Sequence, residues 1–504
     1  MSGILVIFAT KICEQMKYFR AFGALIVTGS LILFSCSKEE SGTTGWEYNN
    51  PKNGGFQVTD YTEQPTGPGL VFIEGGTFMM GATYDDYMYE WHNVPNRITV
   101  RSFYLDETEV ANVDYREYLY WLNRVFGTDY PEVYRKALPD TLVWRDRLAY
   151  NEPLVELYLR HPAYQDYPVV GVSWIQASDY CSWRTDRVNE KILVEKGILD
   201  MDPDQLNENN FNTEAYLAGQ YEGLVNKNLV DLNPTGTGER RVKLEDGLLL
   251  PRYRLPTEAE WEFAALGLVG NTVYERIIDR KRYPWTGHYM RTDDKNYYGS
   301  FLANFKRGNG DYMGVAGDLN DGAVGPAPIG SFWPNDYGLY NMAGNVSEWV
   351  MDVYRPISYE DVTDLNPYRG NVFQRKVRDS EGLLTEKDEY GELKYEDEPV
   401  EDLVDRRNYR KANNINYLDG DFQSTINEEE WLSASQDSHS STMYDYSETS
   451  MINDKARVYK GGSWKDPSYY MIPGTRRFLD ENLAADHIGF RCAMDRVGGQ
   501  ISFR

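Results

Sequence analysis

The sequence predicts a mixed α+β fold with much irregular loop, and three features lead there. Short apolar runs bounded by Gly-rich turns read as strands, beginning with Gly69-Leu70-Val71-Phe72-Ile73 and Glu74-Gly75-Gly76-Thr77-Phe78-Met79-Met80-Gly81. Two helix starts carry capping boxes, Ser173 with Gln176 and Thr257 with Glu260, in which paired side chains satisfy backbone N–H groups that a helix leaves open. Aromatics make up 14% of the 504 residues, and tyrosine alone contributes 40, which suits loops packed around rings.

In chain order, the first stretch reads as an address. Lys17 and Arg20 form a basic start if translation begins at Met16, and residues 21–34 are apolar or small but too few to span a bilayer. Leu33-Phe34-Ser35-Cys36 has the lipoprotein signal-peptidase pattern, so residues 1–35 are expected to be removed and Cys36 to carry lipid. Ser37-Lys38-Glu39-Glu40 lacks the Asp that retains lipoproteins in the inner membrane and is similar to a surface-export tag of Bacteroidota. The expected location is the outer membrane, with the periplasmic face preferred to the cell surface. Residues 36–68, rich in Ser, Gly, Thr, Asn and Pro, read as a flexible tether.

From Gly69 to residue 504 a single domain is expected. The first two apolar runs should form a hairpin across Gly75-Gly76, residues 100–104 alternate as a strand, and a helix should follow near Asn112–Leu122. Pro168-Val169-Val170-Gly171-Val172-Ser173-Trp174 leads into a helix carrying Tyr180, Cys181 and Trp183. The run from Arg184 to Leu199 continues helical, and residues 200–212 are polar and turn-rich. Tyr253-Arg254-Leu255-Pro256-Thr257-Glu258-Ala259-Glu260-Trp261-Glu262 opens the second capped helix, with carboxylates in its positive first turn. After it come Tyr283-Pro284-Trp285, the turn Asn341-Met342-Ala343-Gly344-Asn345-Val346-Ser347-Glu348-Trp349, then Gly461-Gly462-Ser463-Trp464, and finally Gly489-Phe490-Arg491-Cys492.

Charge and motifs exclude several classes of function. A net charge of −26 and a pI near 4.7 argue against nucleic acid or anionic lipid as a general partner. The five histidines, His92, His161, His288, His439 and His487, form no i, i+4 pair and have no cysteine beside them, so no transition-metal site is expected. No nucleophile elbow surrounds Ser463, and neither Gly-Gly pair is followed by the Lys-Ser/Thr of a phosphate loop. Glu107 with Glu109, and Glu258 with Glu260, flank helix starts and read as structural rather than as a glycosidase dyad. Cys13 and Cys36 lie in the leader or at the anchor, which leaves Cys181 and Cys492 as an even pair in an exported chain.

These motifs together resemble the formylglycine-generating enzyme, or sulfatase-modifying factor, domain: the Gly-Gly-x-Phe-x-Met-Gly opening, Arg254-Leu255-Pro256-Thr257-Glu258, the Asn341–Trp349 turn, Gly461-Gly462-Ser463-Trp464 and the Gly489–Cys492 close. The resemblance implies a mixed fold related to C-type lectins. In the enzymes two cysteines after Gly-Gly-Ser bind copper(I), a soft ion that needs thiolates. By spacing, those places are held here by Asp466 and Met471, so no copper and no catalysis are expected. The resemblance also implies a Cys181–Cys492 disulfide and two structural calcium sites. One would use Asn341 and Glu348 side chains with the carbonyls of Gly344 and Val346. The other would use Asn304 and Asp321 with the carbonyls of Phe305 and Ala323.

Two connections are far longer than the domain needs, at about residues 184–250 and 355–455. Together with Asp166-Tyr167-Pro168 and the Arg184–Glu190 continuation, the mature chain resembles the gliding-motility lipoprotein J family of Bacteroidota, with the type IX secretion lipoprotein K family related. That implies an outer-membrane lipoprotein serving secretion and gliding by binding other envelope proteins. The insertions are then the expected working surface, with Tyr216, Tyr221, Arg240, Arg241, Tyr395, Tyr409 and Trp431 as anchors and the acidic run Glu386–Glu398 facing a basic partner. The rival readings are a glycan- or peptide-binding lectin-like protein and an oxidase using other ligands.

Overall fold

The computed structural model describes residues 39–82, 93–267, 281–308, 321–355, 365–370, 373–399, 402 and 455–498. The leader and Cys36 lie outside the described residues, as do Tyr409 and Trp431. Among the described residues no helix is long and apolar enough to cross a membrane.

The chain divides into two units. The smaller comprises the chain to Tyr61 together with Asn228–Glu245. The larger comprises Thr62–Lys227 and Asp246–Arg504. The strands in chain order are β1 (Leu70–Ile73), β2 (Gly76–Met80), β3 (Asn96–Val100), β4 (Phe103–Asp106), β5 (Leu229–Val230), β6 (Glu239–Arg240), β7 (Tyr253–Arg254), β8 (Ser347–Val353), β9 (Gln374–Lys376), β10 (Tyr395–Asp397), β11 (Ala456–Lys460), β12 (Arg477–Asp480), β13 (Ile488–Gly489) and β14 (Ala493–Asp495). Among the described residues the three longest helices are α1 (Asn112–Phe126), α2 (Trp174–Glu195) and α3 (Glu258–Leu266).

Two four-stranded sheets organise the larger unit, one in the order β1-β4-β14-β7 and the other β12-β11-β8-β13. Strand β8 is central and buried on both faces, and β13 joins it in parallel. Both capping boxes form: Gln176 N–H donates to the Ser173 hydroxyl at 3.3 Å and Glu260 N–H to the Thr257 hydroxyl at 3.2 Å, with the return bonds in place. Helix α2 runs from its cap through Arg184 to Glu195 and stops short of the predicted Leu199, because Gly197 turns the chain with a φ of +68°.

The hairpin expected across Gly75-Gly76 does not form. Strand β1 pairs with β4, and β2 pairs with β3 in a separate ribbon. The stretch expected as one strand over 100–104 is therefore two strands broken at Arg101-Ser102. The chain leaves the ribbon at this corner and enters the sheet. Ser102 Oγ accepts the Gly75 N–H at 3.0 Å, and a Cβ on Gly75 would meet the backbone of Arg101 and Ser102 at 2.5 Å. A glycine is needed because two backbones cross there.

Rings fill the core, as the composition suggests. Tyr115, Tyr118 and Tyr180 pack with Phe490 between α1, α2 and the end of the chain, at ring separations of 5.3–6.4 Å. Pairs of this kind add about 0.5–1.5 kcal/mol each beyond their burial. Trp261 and Phe263 of α3 fill a second cluster against β2, β3, β8 and β11.

The tether expectation is corrected for residues 39–61. Glu40 bridges Glu47, Asn49 N–H donates to the Phe56 carbonyl at 2.9 Å, and Gln57 donates to the Val230 carbonyl of β5 at 3.0 Å. Asn50 caps a 3-10 turn over Pro51–Asn53. The Asn, Gly and Pro that read as flexible are turn-formers here, given partners by a distant ribbon.

Candidate functional site

The site is the groove that follows β11. Gly461 and Gly462 both adopt positive φ, +94° and +68°, to turn the chain sharply. A Cβ on Gly462 would lie 2.7 Å from the Tyr470 carbonyl oxygen and 2.8 Å from Met471 Cε, so the turn requires glycine. Ser463 then enters the interior, and its Oγ donates to Asp466 Oδ2 at 2.5 Å.

Asp466 is buried and fully engaged. Arg477 of β12 donates from Nη1 to Oδ1 and from Nη2 to Oδ2, both at 2.7 Å, in a two-pronged pair. The same Nη2 donates to Ser347 Oγ at 2.9 Å. The guanidinium lies over the rings of Tyr459, 4.8 Å away, and Tyr470, 4.4 Å away. Burial pushes the Asp466 carboxyl up, but the hydrogen bonds and charge of Arg477 and the Ser463 hydroxyl outweigh it, so the acid sits below its usual range. Met471 is completely buried among Tyr283, Phe305 and Ala343. A plug of one ion pair and one thioether therefore occupies the two positions. On the rim, Asp486 joins Lys465 and His487, the latter at 3.2 Å, which gives His487 a structural partner.

Behind the plug lies a buried charge network. Lys460 Nζ sits 3.2 Å from Glu258 Oε1 and 3.0 Å from Glu262 Oε2, and Arg476 clasps Glu258 at 2.6 and 2.8 Å. Burial raises the Glu258 carboxyl, but Arg476 and Lys460 outweigh it and bring it down to about 2. Asp352 accepts from the Glu258 and Arg369 N–H groups at 2.8 and 3.0 Å. Burial and the Glu258 charge push its carboxyl up to about 7.

The first calcium set is gathered on one turn, in a positive-φ conformation at Asn341 and Gly344. Asn341 Nδ2 donates to Glu109 Oε2 and to the Ile329 carbonyl, both at 2.9 Å. Glu348 is held by Arg491 at 2.6 and 2.7 Å and by Trp261 Nε1 at 2.6 Å. Among the described residues nothing donates to Asn341 Oδ1 or to the carbonyls of Gly344 and Val346, and Glu348 Oε1 has only the one Arg491 contact. Gly344 and Val346 are buried, so their two carbonyls are oxygens of the type a hard cation takes. The donor set fits calcium, although Arg491 shares the single carboxylate. In the second set Asp321 accepts from Phe305 N–H at 3.3 Å and Ala323 N–H at 3.2 Å, so the four residues do converge. Asn304 Nδ2 donates to the Gly325 carbonyl at 2.8 Å, leaving its Oδ1 available. Among the described residues no cluster of three or more His, Cys, Asp or Glu could hold a metal.

Cys181 Sγ and Cys492 Sγ are buried 3.1 Å apart, which brings together the pair that the resemblance implies. The insertion anchors fare differently. Tyr216 and Tyr221 are buried against Phe211 at ring distances of 5.7 and 5.3 Å, so they are the core of the first insertion and not an exposed interface. An insertion this long needs an apolar core of its own, and its tyrosines supply it. Arg240 donates to Gln57 at 3.0 Å within the smaller unit. Tyr395 remains 42% exposed on the β9–β10 ribbon, and in the acidic run Glu396 already pairs with Arg375 at 2.7 Å. Sequence reasoning missed the roles of Arg477, Arg491 and Glu109. The available signal was a charge, Asp466, at a buried place, which demands a counter-charge nearby.

A sulfatase-modifying factor enzyme 1-like domain model matches residues 55–395. The inactive C-alpha-formylglycine-generating enzyme 2 of Mus musculus is 24% identical over 312 residues, covering 57% of this chain and 70% of that protein. The formylglycine-generating enzyme of Mus musculus is 25% identical over 301 residues, covering 56% of this chain and 58% of that protein. The formylglycine-generating enzyme of Thermomonospora curvata is 40% identical over 99 residues, 20% of this chain and 27% of that protein. The match thus spans less than two thirds of the length of the last two. Among solved structures, PvdO from Pseudomonas aeruginosa aligns with a TM-score of 0.41 and 16% identity over 84% of this chain and 94% of its own.

Proposed function

The chain belongs to the sulfatase-modifying factor enzyme 1-like family, and from that premise we propose that it is a non-catalytic member. In this reading it is lipid-anchored at Cys36 in the outer membrane and serves protein secretion and gliding by binding other envelope proteins. The observation that carries the non-catalytic part is the plug. Where the enzymes' copper cysteines would stand, Asp466 is locked to Arg477 and Ser463, and Met471 is packed among rings. A carboxylate committed to a guanidinium and a lone thioether give copper(I) no thiolate pair. A relative described as inactive supports the same reading. Calcium, when bound, would hold the Asn341–Glu348 turn through Asn341, Gly344, Val346 and Glu348, and the Asn304–Ala323 segment through Asn304, Phe305, Asp321 and Ala323. It would supply rigidity and no chemistry.

Four measurements test this. Titration with copper(I) against a competing chelator should leave the protein metal-free, and a sulfatase peptide should stay unmodified; stoichiometric copper with turnover would refute the reading. Affinity isolation from solubilised envelope should recover secretion and gliding components, and Cys36→Ala should release the chain from membranes. One observation favours a second reading, glycan binding: Tyr289, Tyr297, Tyr298 and Trp333 are all more than half exposed, with the Tyr297 and Trp333 rings 5.1 Å apart. A glycan array showing binding that Trp333→Ala abolishes would promote it.

A further inference from the structure

The smaller unit displays rings at its surface. Trp46 is 61% exposed, Phe56 67% and Val230 64%. The contacts place them in one region. Tyr48 meets Phe56 at a ring separation of 5.7 Å, and Gln57, next to Phe56, donates to the Val230 carbonyl at 3.0 Å. Trp46 lies two residues before Tyr48 and is fixed by a turn in which Ser41 N–H donates to its carbonyl at 2.8 Å. Gly55 locks this arrangement, because its backbone abuts the Leu232 carbonyl where no Cβ fits.

We infer that Trp46 and Phe56, with Val230, seat the smaller unit on the headgroup boundary of the membrane that holds the lipid. The inference rests on the reading of Cys36 as the lipidated residue. What selects a membrane as occupant is chain length. Only residues 37 and 38 separate Cys36 from the described part of the unit, and Ser41 is five residues from the anchor. Five residues span at most about 18 Å even when fully extended. The Ser41–Trp46 turn then brings the Trp46 backbone back beside Ser41, so an acylated Cys36 keeps the Trp46 ring within about 30 Å of its own Cα. A free tether would impose no such proximity; the folding of residues 39–61 does. Tryptophan and other rings prefer this depth because one part of the ring system is apolar and another can stay wet. With the leader removed, the unit's residues 36–61 and 228–245 hold seven acidic and five basic side chains, so the attraction comes from ring burial and not from anionic headgroups. Since the lipid itself secures retention, the rings fix how the protein stands on the surface.

The test uses the full chain in two forms. Acylated protein is reconstituted into phosphatidylcholine vesicles containing bromine-labelled lipid, which quenches tryptophan at the headgroup boundary. Mass spectrometry reads the acylation of Cys36 in the same sample. Quenching should be present in the parent and in Trp333→Phe, and largely lost in Trp46→Phe. Unlipidated Cys36→Ser protein should still partition weakly onto the same vesicles. That binding should drop about ten-fold or more when Trp46 and Phe56 become serine. Raising the salt should hardly change it. Both rings are exposed, so the variants should fold, as circular dichroism will record. Acylated Cys36 with no quenching that depends on Trp46 would overturn the inference and leave the anchor standing. Quenching that depends on Trp46 without acylation would uphold the face and refute the anchor. Binding that requires anionic lipid and fades with salt would also overturn it.

Discussion

Replacing Asp466 with alanine should destabilise the larger unit by about 2–3 kcal/mol without creating or removing a metal site. The size follows from what is broken. Asp466 accepts two charge-assisted bonds from Arg477 at 2.7 Å and one from Ser463 at 2.5 Å. Breaking a buried pair by removing one partner costs about 3–5 kcal/mol, because a charge is stranded. Arg477 is not wholly stranded: its side chain is 20% exposed, it keeps the Ser347 hydroxyl, and two tyrosine faces cover it, which places the cost below that range. Asp466→Asn retains one acceptor oxygen and should cost about half as much. Urea denaturation followed by tryptophan fluorescence is the assay. With a slope of about 3 kcal/mol/M, the alanine variant should shift the midpoint by up to about 1 M. Copper binding should stay absent in the variant as in the parent, and co-purification with envelope partners should follow the folded fraction alone. A loss under about 0.5 kcal/mol, or a loss of partners from protein that remains fully folded, would show that Asp466 belongs to a working surface and that the plug argument is wrong.

Stability should also depend on pH through Asp352. Its carboxyl is raised to about 7, against roughly 3.9 in an unfolded chain, so its contribution is complete below about pH 4 and is lost as pH rises through 7. A falling stability between about pH 4 and 7, flattened in Asp352→Asn, is the expected record. Glu258 acts in the opposite sense: lowered to about 2, its contribution is present above about 4.3 and disappears as acid takes the pH through 2. In exported protein, a non-reducing peptide map should find Cys181 joined to Cys492. The closed loop spans 311 positions, so reduction should cost up to about 5–6 kcal/mol by chain entropy, and recovery of both as free thiols would reject the pairing. A chelator should lower the melting temperature by an amount that Asn341→Ala abolishes; equal melting with and without chelator, and no calcium by metal analysis, would leave the turn held by hydrogen bonds alone.

What the sequence determined by itself is what depends on neighbours along the chain. The caps of α2 and α3 were legible because Ser173 and Thr257 bond partners three residues away. The glycine turn at 461–462 and the turn around Asn341 were legible because backbone geometry there restricts the residue type. The motifs carried the family for the same reason, and Asp466 and Met471 could be read at the two places where the resemblance puts copper cysteines. Tertiary structure decided what depends on distant partners. The apolar runs at 70–73 and 76–80 read as a hairpin, yet β1 finds β4 and β2 finds β3, since strand edges pair with whichever surface buries their apolar face best. Tyr216 and Tyr221 read as interface anchors, but an insertion must bury rings before it can present any, and they became its core. Asp466 looked like a gap in the chemistry; only the fold, by bringing Arg477 and Ser347 to its side, makes it a closed ion pair. Residues 39–61 read as a tether because nothing local gives them a core, and the partner that folds them lies near residue 230.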